Sequence, residues 1–99
     1  MVNWSLGARR QLKGIYNYIA KDSESTAKRV TDGMVEYSMG LDNLPYRHKM
    51  MPELREECVR EFSMYSYRVI FEILPENHIA VLAVVHKRQD IQPEDIQRG

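Results

Sequence analysis

Two strand-like runs joined by a short polar turn decide the fold: residues 67–85 read YRVIFEILPENHIAVLAVV. In the first run, residues 67–73, apolar side chains alternate with a second set that includes Arg68 and Glu72, which is the period-two pattern of a strand. The second run, residues 79–85, is apolar on both faces, as in a central strand. Residues 58–63 form a third candidate strand, where imperfect alternation allows a bulge. The three runs predict an antiparallel meander over about residues 57–86.

Upstream of these strands the apolar residues recur at helical spacing. The first set is Ala8, Leu12, Ile15, Tyr16 and Ile19, and the second is Ala27, Val30, Met34, Tyr37 and Leu41. Asp22 or Ser23 can cap the second helix, and Gly33 weakens it locally. A short strand is possible over residues 2–5. The sequence therefore predicts one α+β domain over residues 1–99, with a helical hairpin at about residues 6–44 packed on an antiparallel sheet.

The charge is balanced overall but divided between the two halves of the chain. The 99 residues carry 14 Lys+Arg and 14 Asp+Glu. Residues 1–50 hold eight basic against five acidic side chains, and residues 51–99 hold six against nine. A strongly basic nucleic-acid binder, held mainly by phosphate contacts, is disfavoured by this balance.

The cellular context follows from features that the sequence lacks. A single cysteine, Cys58, excludes an intramolecular disulfide and suits a reducing compartment. No apolar run approaches the roughly 20 residues of a membrane span, and the N-terminus has no signal-peptide core. The expectation is a cytoplasmic protein with no membrane association. Without a glycine-rich phosphate loop or zinc-ligand spacing, no cofactor and no metal are predicted.

Four side chains near the predicted strands could carry chemistry: Arg60, Arg68, His86 and Arg88. In a meander they could converge on the sheet face that the helices leave open. One interpretation has the arginines hold a phosphate while His86 acts as an acid or base. The other is structural: Arg68 pairs with Glu72 or Glu61, His86 donates to a backbone carbonyl, and Arg88 pairs with Asp90. Counter-charges near every arginine favour the structural interpretation.

Short motifs follow one another along the chain. They are ARRQLKGIYNYIA at residues 8–20, LP at 44–45, PELR at 52–55, REF at 60–62, YRVIFEI at 67–73 and VVHKRQD at 84–90. Their order and spacing resemble the RelE/ParE superfamily of toxins from type II toxin–antitoxin modules. The similarity is greatest to the ParE branch, the plasmid-stabilisation type, and covers about residues 5–91.

This resemblance implies a small toxin neutralised by a cognate antitoxin in a hetero-oligomer. Antitoxins of the superfamily wrap an extended or helical segment around the toxin, so apolar groups left exposed on the open sheet face, such as Ile70 and Leu82, are expected to bind one. ParE-type members poison DNA gyrase without hydrolysis. RelE-type members cut mRNA in the ribosome, and here that activity would use Arg60, Arg68, His86 and Arg88.

Three functions are compatible with the resemblance: a gyrase inhibitor, a ribosome-dependent mRNA endoribonuclease, and a non-toxic relative that only binds an antitoxin. RNase-type members are usually very basic because they dock on ribosomal RNA. This chain is neutral, and residues 56–61 read EECVRE where the RNase members place basic side chains. The sequence therefore favours gyrase over the ribosome and mRNA as the target, and binding over catalysis.

Overall fold

The computed structural model describes residues 1–98 as two helices packed on one face of a five-stranded mixed sheet. The elements are β1 (Val2–Trp4), α1 (Leu6–Ala20), α2 (Glu24–Ser38), β2 (Lys49–Met50), β3 (Val59–Met64), β4 (Tyr67–Ile73) and β5 (Ile79–His86). The sheet order is β1-β5-β4-β3-β2, with β1 parallel to β5 and the other neighbours antiparallel. The predicted meander and α+β class are confirmed, and β1 and β2 extend the sheet.

The helices begin where the capping residues place them. The Ser5 hydroxyl accepts from the backbone N–H of Ala8 at 3.0 Å, and the Ser23 hydroxyl accepts from that of Thr26 at 3.2 Å. Each serine satisfies one of the free N–H groups of a helix N-terminus, and of the two residues predicted as possible caps of α2, Asp22 and Ser23, it is Ser23 that caps it. No helix among residues 1–98 has the length and apolar character needed to cross a bilayer.

One core lies between the helices and the sheet. Its buried side chains are Ala8, Val30, Met34, Leu41, Phe62, Val69, Phe71, Ile73, Ile79, Val81 and Val84. The β4 members are every second residue, because alternate side chains of a strand point to the same face. The spacing allowed a bulge in β3, but the β3–β4 ladder is regular. The register shifts instead in the β4–β5 ladder, where Ile70 pairs with Ala83 and Phe71 with Val81.

A second core occupies the opposite face of the sheet. There, Ile91 and Ile96 from the segment after β5 pack against sheet residues that include Ile70 and Leu82. Ile70 is 0% exposed and Leu82 is 5% exposed. The expectation that both are exposed in the isolated chain is therefore wrong. The reason is that residues 91–98 form a packed cover over this face.

Two ion pairs hold this C-terminal cover on the sheet. Arg98 donates at 2.6 Å to Glu56 and at 2.6 Å to Glu72. Within the cover, a short 3-10 turn at Pro93–Asp95 is closed by Gln92, whose N–H donates to the Asp95 carboxylate at 2.8 Å. These contacts hold the C-terminal cover in place.

Gly33 has a packing role inside α2. Tyr65, in the hairpin between β3 and β4, has a left-handed φ of 56°. Its hydroxyl lies 3.2 Å from where a Cβ on residue 33 would stand. The glycine that weakens the helix therefore leaves space for a tyrosine from the sheet.

Candidate functional site

The four side chains predicted to converge do not lie on one face of the sheet. In the β3–β4 ladder Arg60 is paired with Phe71, so it shares the helix-covered face. His86 is paired with Tyr67, which also packs on the helix side. Arg68 follows Tyr67 directly in β4, so its side chain projects to the opposite face of the sheet. The predicted convergence is wrong because a difference of one residue in register moves a side chain to the other face.

Arg68 is held by two carboxylates on the face that carries the C-terminal cover. It donates to both oxygens of Glu53 at 2.8 and 2.7 Å, and to Glu61 at 2.6 Å. The pairing with Glu61 is as the structural interpretation expected, whereas Glu72 pairs with Arg98 instead. The hydrogen bonds from Arg68 lower the pKa of Glu53. The same carboxylates, Glu53 first, raise the pKa of Arg68, so the group stays charged.

Arg60 stabilises the loop that precedes β2 through hydrogen bonds from its guanidinium. Its Nε donates to the Glu57 carbonyl at 2.8 Å, and its Nη1 donates to the His48 carbonyl at 3.0 Å. Its guanidinium carbon lies 5.3 Å from the centre of the Tyr46 ring, within cation–π range. These contacts use the guanidinium to connect backbone segments, which is a structural role.

His86 ends β5 with its ring edge-on to Tyr67, the two centroids 5.5 Å apart. Its Nδ1 accepts a hydrogen bond from the backbone N–H of Arg88 at 3.0 Å. The prediction that His86 donates to a backbone carbonyl is therefore wrong at this nitrogen. Because Nδ1 is an acceptor, a neutral ring carries its proton on Nε2. In that form Nε2 can donate a hydrogen bond, but it cannot take a proton as a general base.

Arg88 is exposed, and it forms no ion pair with Asp90 among the residues that the structure describes. The expected pairing is therefore wrong. Arg88 lies two residues beyond the end of β5.

A groove of about 610 Å³ opens beside His86 and was not predicted from the sequence. It is lined by Gln11, Gly14, Ile15, Tyr18, Ile19, Val30, Tyr65, Ser66, Tyr67, Val84, His86 and Gln89. The groove lies along the part of β5 that follows Val81, the last residue paired with β1. There the Gln11 side-chain oxygen accepts a hydrogen bond from the backbone N–H of Val84 at 2.8 Å. At its edge stands Tyr18 of α1, which is 71% exposed.

Within residues 1–98, no cluster of three or more His, Cys, Asp or Glu side chains is arranged to hold a metal ion. Four of the nine acidic side chains of the second half are paired with arginines. Glu53 and Glu61 meet Arg68, and Glu56 and Glu72 meet Arg98.

The comparison with protein families decides the identity. Residues 2–91 match the family described as the ParE toxin of the type II toxin–antitoxin system parDE. The chain belongs to the ParE toxin family. The predicted superfamily and its ParE branch are thereby confirmed.

Solved structures share the fold of this ParE-family toxin. A chain of the chromosomal ParDE toxin–antitoxin system from P. aeruginosa is 18% identical, with a TM-score of 0.68, over 86% of this chain and 92% of that one. A chain of the RelBE2 toxin–antitoxin complex from Mycobacterium tuberculosis is 24% identical, with a TM-score of 0.64, over 87% and 95%. No match was found among curated protein sequences.

Proposed function

We propose that this ParE-family toxin inhibits DNA gyrase, and so DNA replication, by binding, and that a cognate antitoxin neutralises it. The observation that carries the proposal is the separation of Arg68 from Arg60 and His86, three of the side chains that an RNase would use here. Arg68 lies on one face with two carboxylates, while Arg60 and His86 lie on the other. Phosphodiester cleavage needs an acid–base pair and cations within reach of one phosphate.

The electrostatics around Arg68 also favour a binding toxin over a nuclease. Glu61 is 3% exposed and Glu53 lies beside it, so one guanidinium faces two carboxylates. Lys49, 3.6 Å from Glu61, brings this cluster to neutrality without adding a free cation. An RNA phosphate placed there would meet two nearby carboxylates, whose repulsion in a partly buried site is strong.

His86 supports the same conclusion. Its Nδ1 is occupied by the Arg88 N–H, which fixes the tautomer in which Nε2 is a donor. A general base at this position would first have to give up that hydrogen bond. The side chain is better suited to binding than to proton abstraction.

The antitoxin is proposed from the family and from the two solved relatives, which are structures of toxin–antitoxin systems. The toxin would work in the cytoplasm, in a hetero-oligomer with its antitoxin when neutralised. Ile70 and Leu82 remain candidates for antitoxin contact only if residues 91–98 move, because that segment covers them.

Expression of the toxin without its antitoxin tests the proposal. We expect growth arrest in which labelled thymidine incorporation stops early while full-length transcripts persist. Transcripts cut within their coding regions at the onset of arrest would contradict it in favour of the endoribonuclease. Continued growth at a confirmed level of folded protein would identify a non-toxic relative.

A further inference from the structure

We propose that the groove between α1 and the end of β5 binds a single-stranded polynucleotide, with bases against Tyr18 and Tyr67 and phosphates along a basic rim. The proposal does not depend on gyrase as the target. It rests on the aromatic lining of the groove, on unpaired cations around it, and on the absence of acidic side chains from its lining.

The floor and walls of the groove can stack and hydrogen-bond bases. Tyr18 is 71% exposed and Tyr65 is 50% exposed, while Tyr67 lies deeper with its ring against His86. The Gln11 amide nitrogen and the Nε2–H of His86 are donors that can meet base edges. The volume of about 610 Å³ is in the range of ligand pockets.

The rim is basic on both sides. On α1, Arg10 lies one helical turn before Gly14, and Lys21 lies one turn after Tyr18, so both are neighbours of groove residues. Across the groove, Lys87 and Arg88 stand between His86 and Gln89, which both line it. These four rim cations are exposed and form no ion pair within residues 1–98.

The acidic groups nearest in sequence do not enter the lining. α1 contains no acidic residue, and Asp22 and Asp90 follow rim and groove residues without lining the groove themselves. A polyanion is therefore the complementary ligand. Aromatic rings interleaved with cations favour a polynucleotide over an acidic peptide, because every base has a face that can stack on a tyrosine. A duplex is disfavoured, because its bases are already stacked on one another.

Fluorescence anisotropy with a labelled 12-mer of thymidylate or uridylate tests the proposal on the full chain. We expect binding that Tyr18→Ala weakens by at least about fivefold and Tyr18→Phe preserves, since phenylalanine keeps the stacking face. Arg10→Gln is expected to reduce the magnitude of the negative slope of log affinity against log salt by about 0.7. This is the value for one phosphate contact in a single strand. The ratio of the two affinities tells whether the ligand is DNA or RNA.

Arg47→Gln is the matched control, because it removes the same charge at a distant exposed position. Arg47 lies beside Asn77 in the β4–β5 loop, at the opposite end of the sheet from Tyr65. Equal effects of Arg10→Gln and Arg47→Gln would show net-charge attraction only and overturn the proposal. So would equal binding of wild type and Tyr18→Ala, or tighter binding of a labelled oligoglutamate peptide than of either strand.

Discussion

Arg68 and Glu61 form a buried ion pair between neighbouring strands, with Nη2 of the arginine 2.6 Å from Oε1 of a glutamate that is 3% exposed. Glu53 completes the site from the loop before β3. Together the two contacts fix both ends of the acidic stretch at residues 53–61 against the sheet. They also take up the arginine on which a nuclease interpretation would depend.

Arg68→Ala is expected to lower the free energy of unfolding by about 3 kcal/mol, because it leaves Glu61 buried without its main counter-charge. Urea denaturation at neutral pH measures the change. Lys28→Ala is the control, since it breaks the exposed pair between Lys28 and Asp32 on α2. A loss for Arg68→Ala no larger than that of the control would contradict a stabilising role for the buried pair.

The stability of the toxin should fall in acid partly through Glu53. The hydrogen bonds from Arg68 hold the pKa of Glu53 below its ordinary value, which is about 4.3 in an unfolded chain. A lowered folded pKa stabilises the protein above the unfolded value and ceases to do so as pH falls through the folded value. Glu53→Gln should therefore be less stable than wild type at pH 6, and the difference should shrink towards pH 3. A constant difference across this range would refute the assignment.

Ile70→Asp tests the second core. Ile70 is 0% exposed beneath the C-terminal cover, so a carboxylate there should cost at least about 3 kcal/mol of stability. Leu74→Asp makes the same chemical change at a site that is 39% exposed and should cost much less. Thermal unfolding compares the two. Similar melting temperatures would mean that residues 91–98 do not cover this face in solution.

Gly33→Ala and Tyr65→Ala should be coupled. Alanine in place of glycine favours a helix by about 1 kcal/mol, but in the wild type its Cβ would stand 3.2 Å from the Tyr65 hydroxyl. We expect Gly33→Ala to stabilise the Tyr65→Ala protein more than it stabilises the wild type. A double-mutant cycle by urea denaturation gives the coupling, and additive effects would contradict the contact.

Local patterns predicted most of the architecture. The spacing from Ala8 to Ile19 and the alternation from Tyr67 to Ile73 each reflect one buried face, and a single face leaves a clear period in the sequence. The pairing of β1 with β5 left no such signal, because a three-residue strand is too short to show a period.

The site was predicted less well because it depends on register and long-range packing. The sequence identified Arg60 and Arg68 as candidate site residues. Which face of the sheet each side chain lies on depends on how β3 pairs with β4. The burial of Ile70 depends on Ile91 and Ile96, which are about 20 or more residues further along the chain. The groove forms only where α1 passes the free part of β5, a long-range contact that leaves no local pattern in the sequence.

Supercoiling by purified gyrase is the direct test of whether this toxin inhibits gyrase by binding. Increasing amounts of the toxin are added to gyrase, ATP and relaxed plasmid, with and without the antitoxin, and labelled mRNA on translating ribosomes is incubated with the same preparation. We expect supercoiling to be lost at saturating toxin and restored by the antitoxin, while the mRNA stays intact. Unchanged supercoiling together with ribosome-dependent cleavage of the mRNA would contradict it.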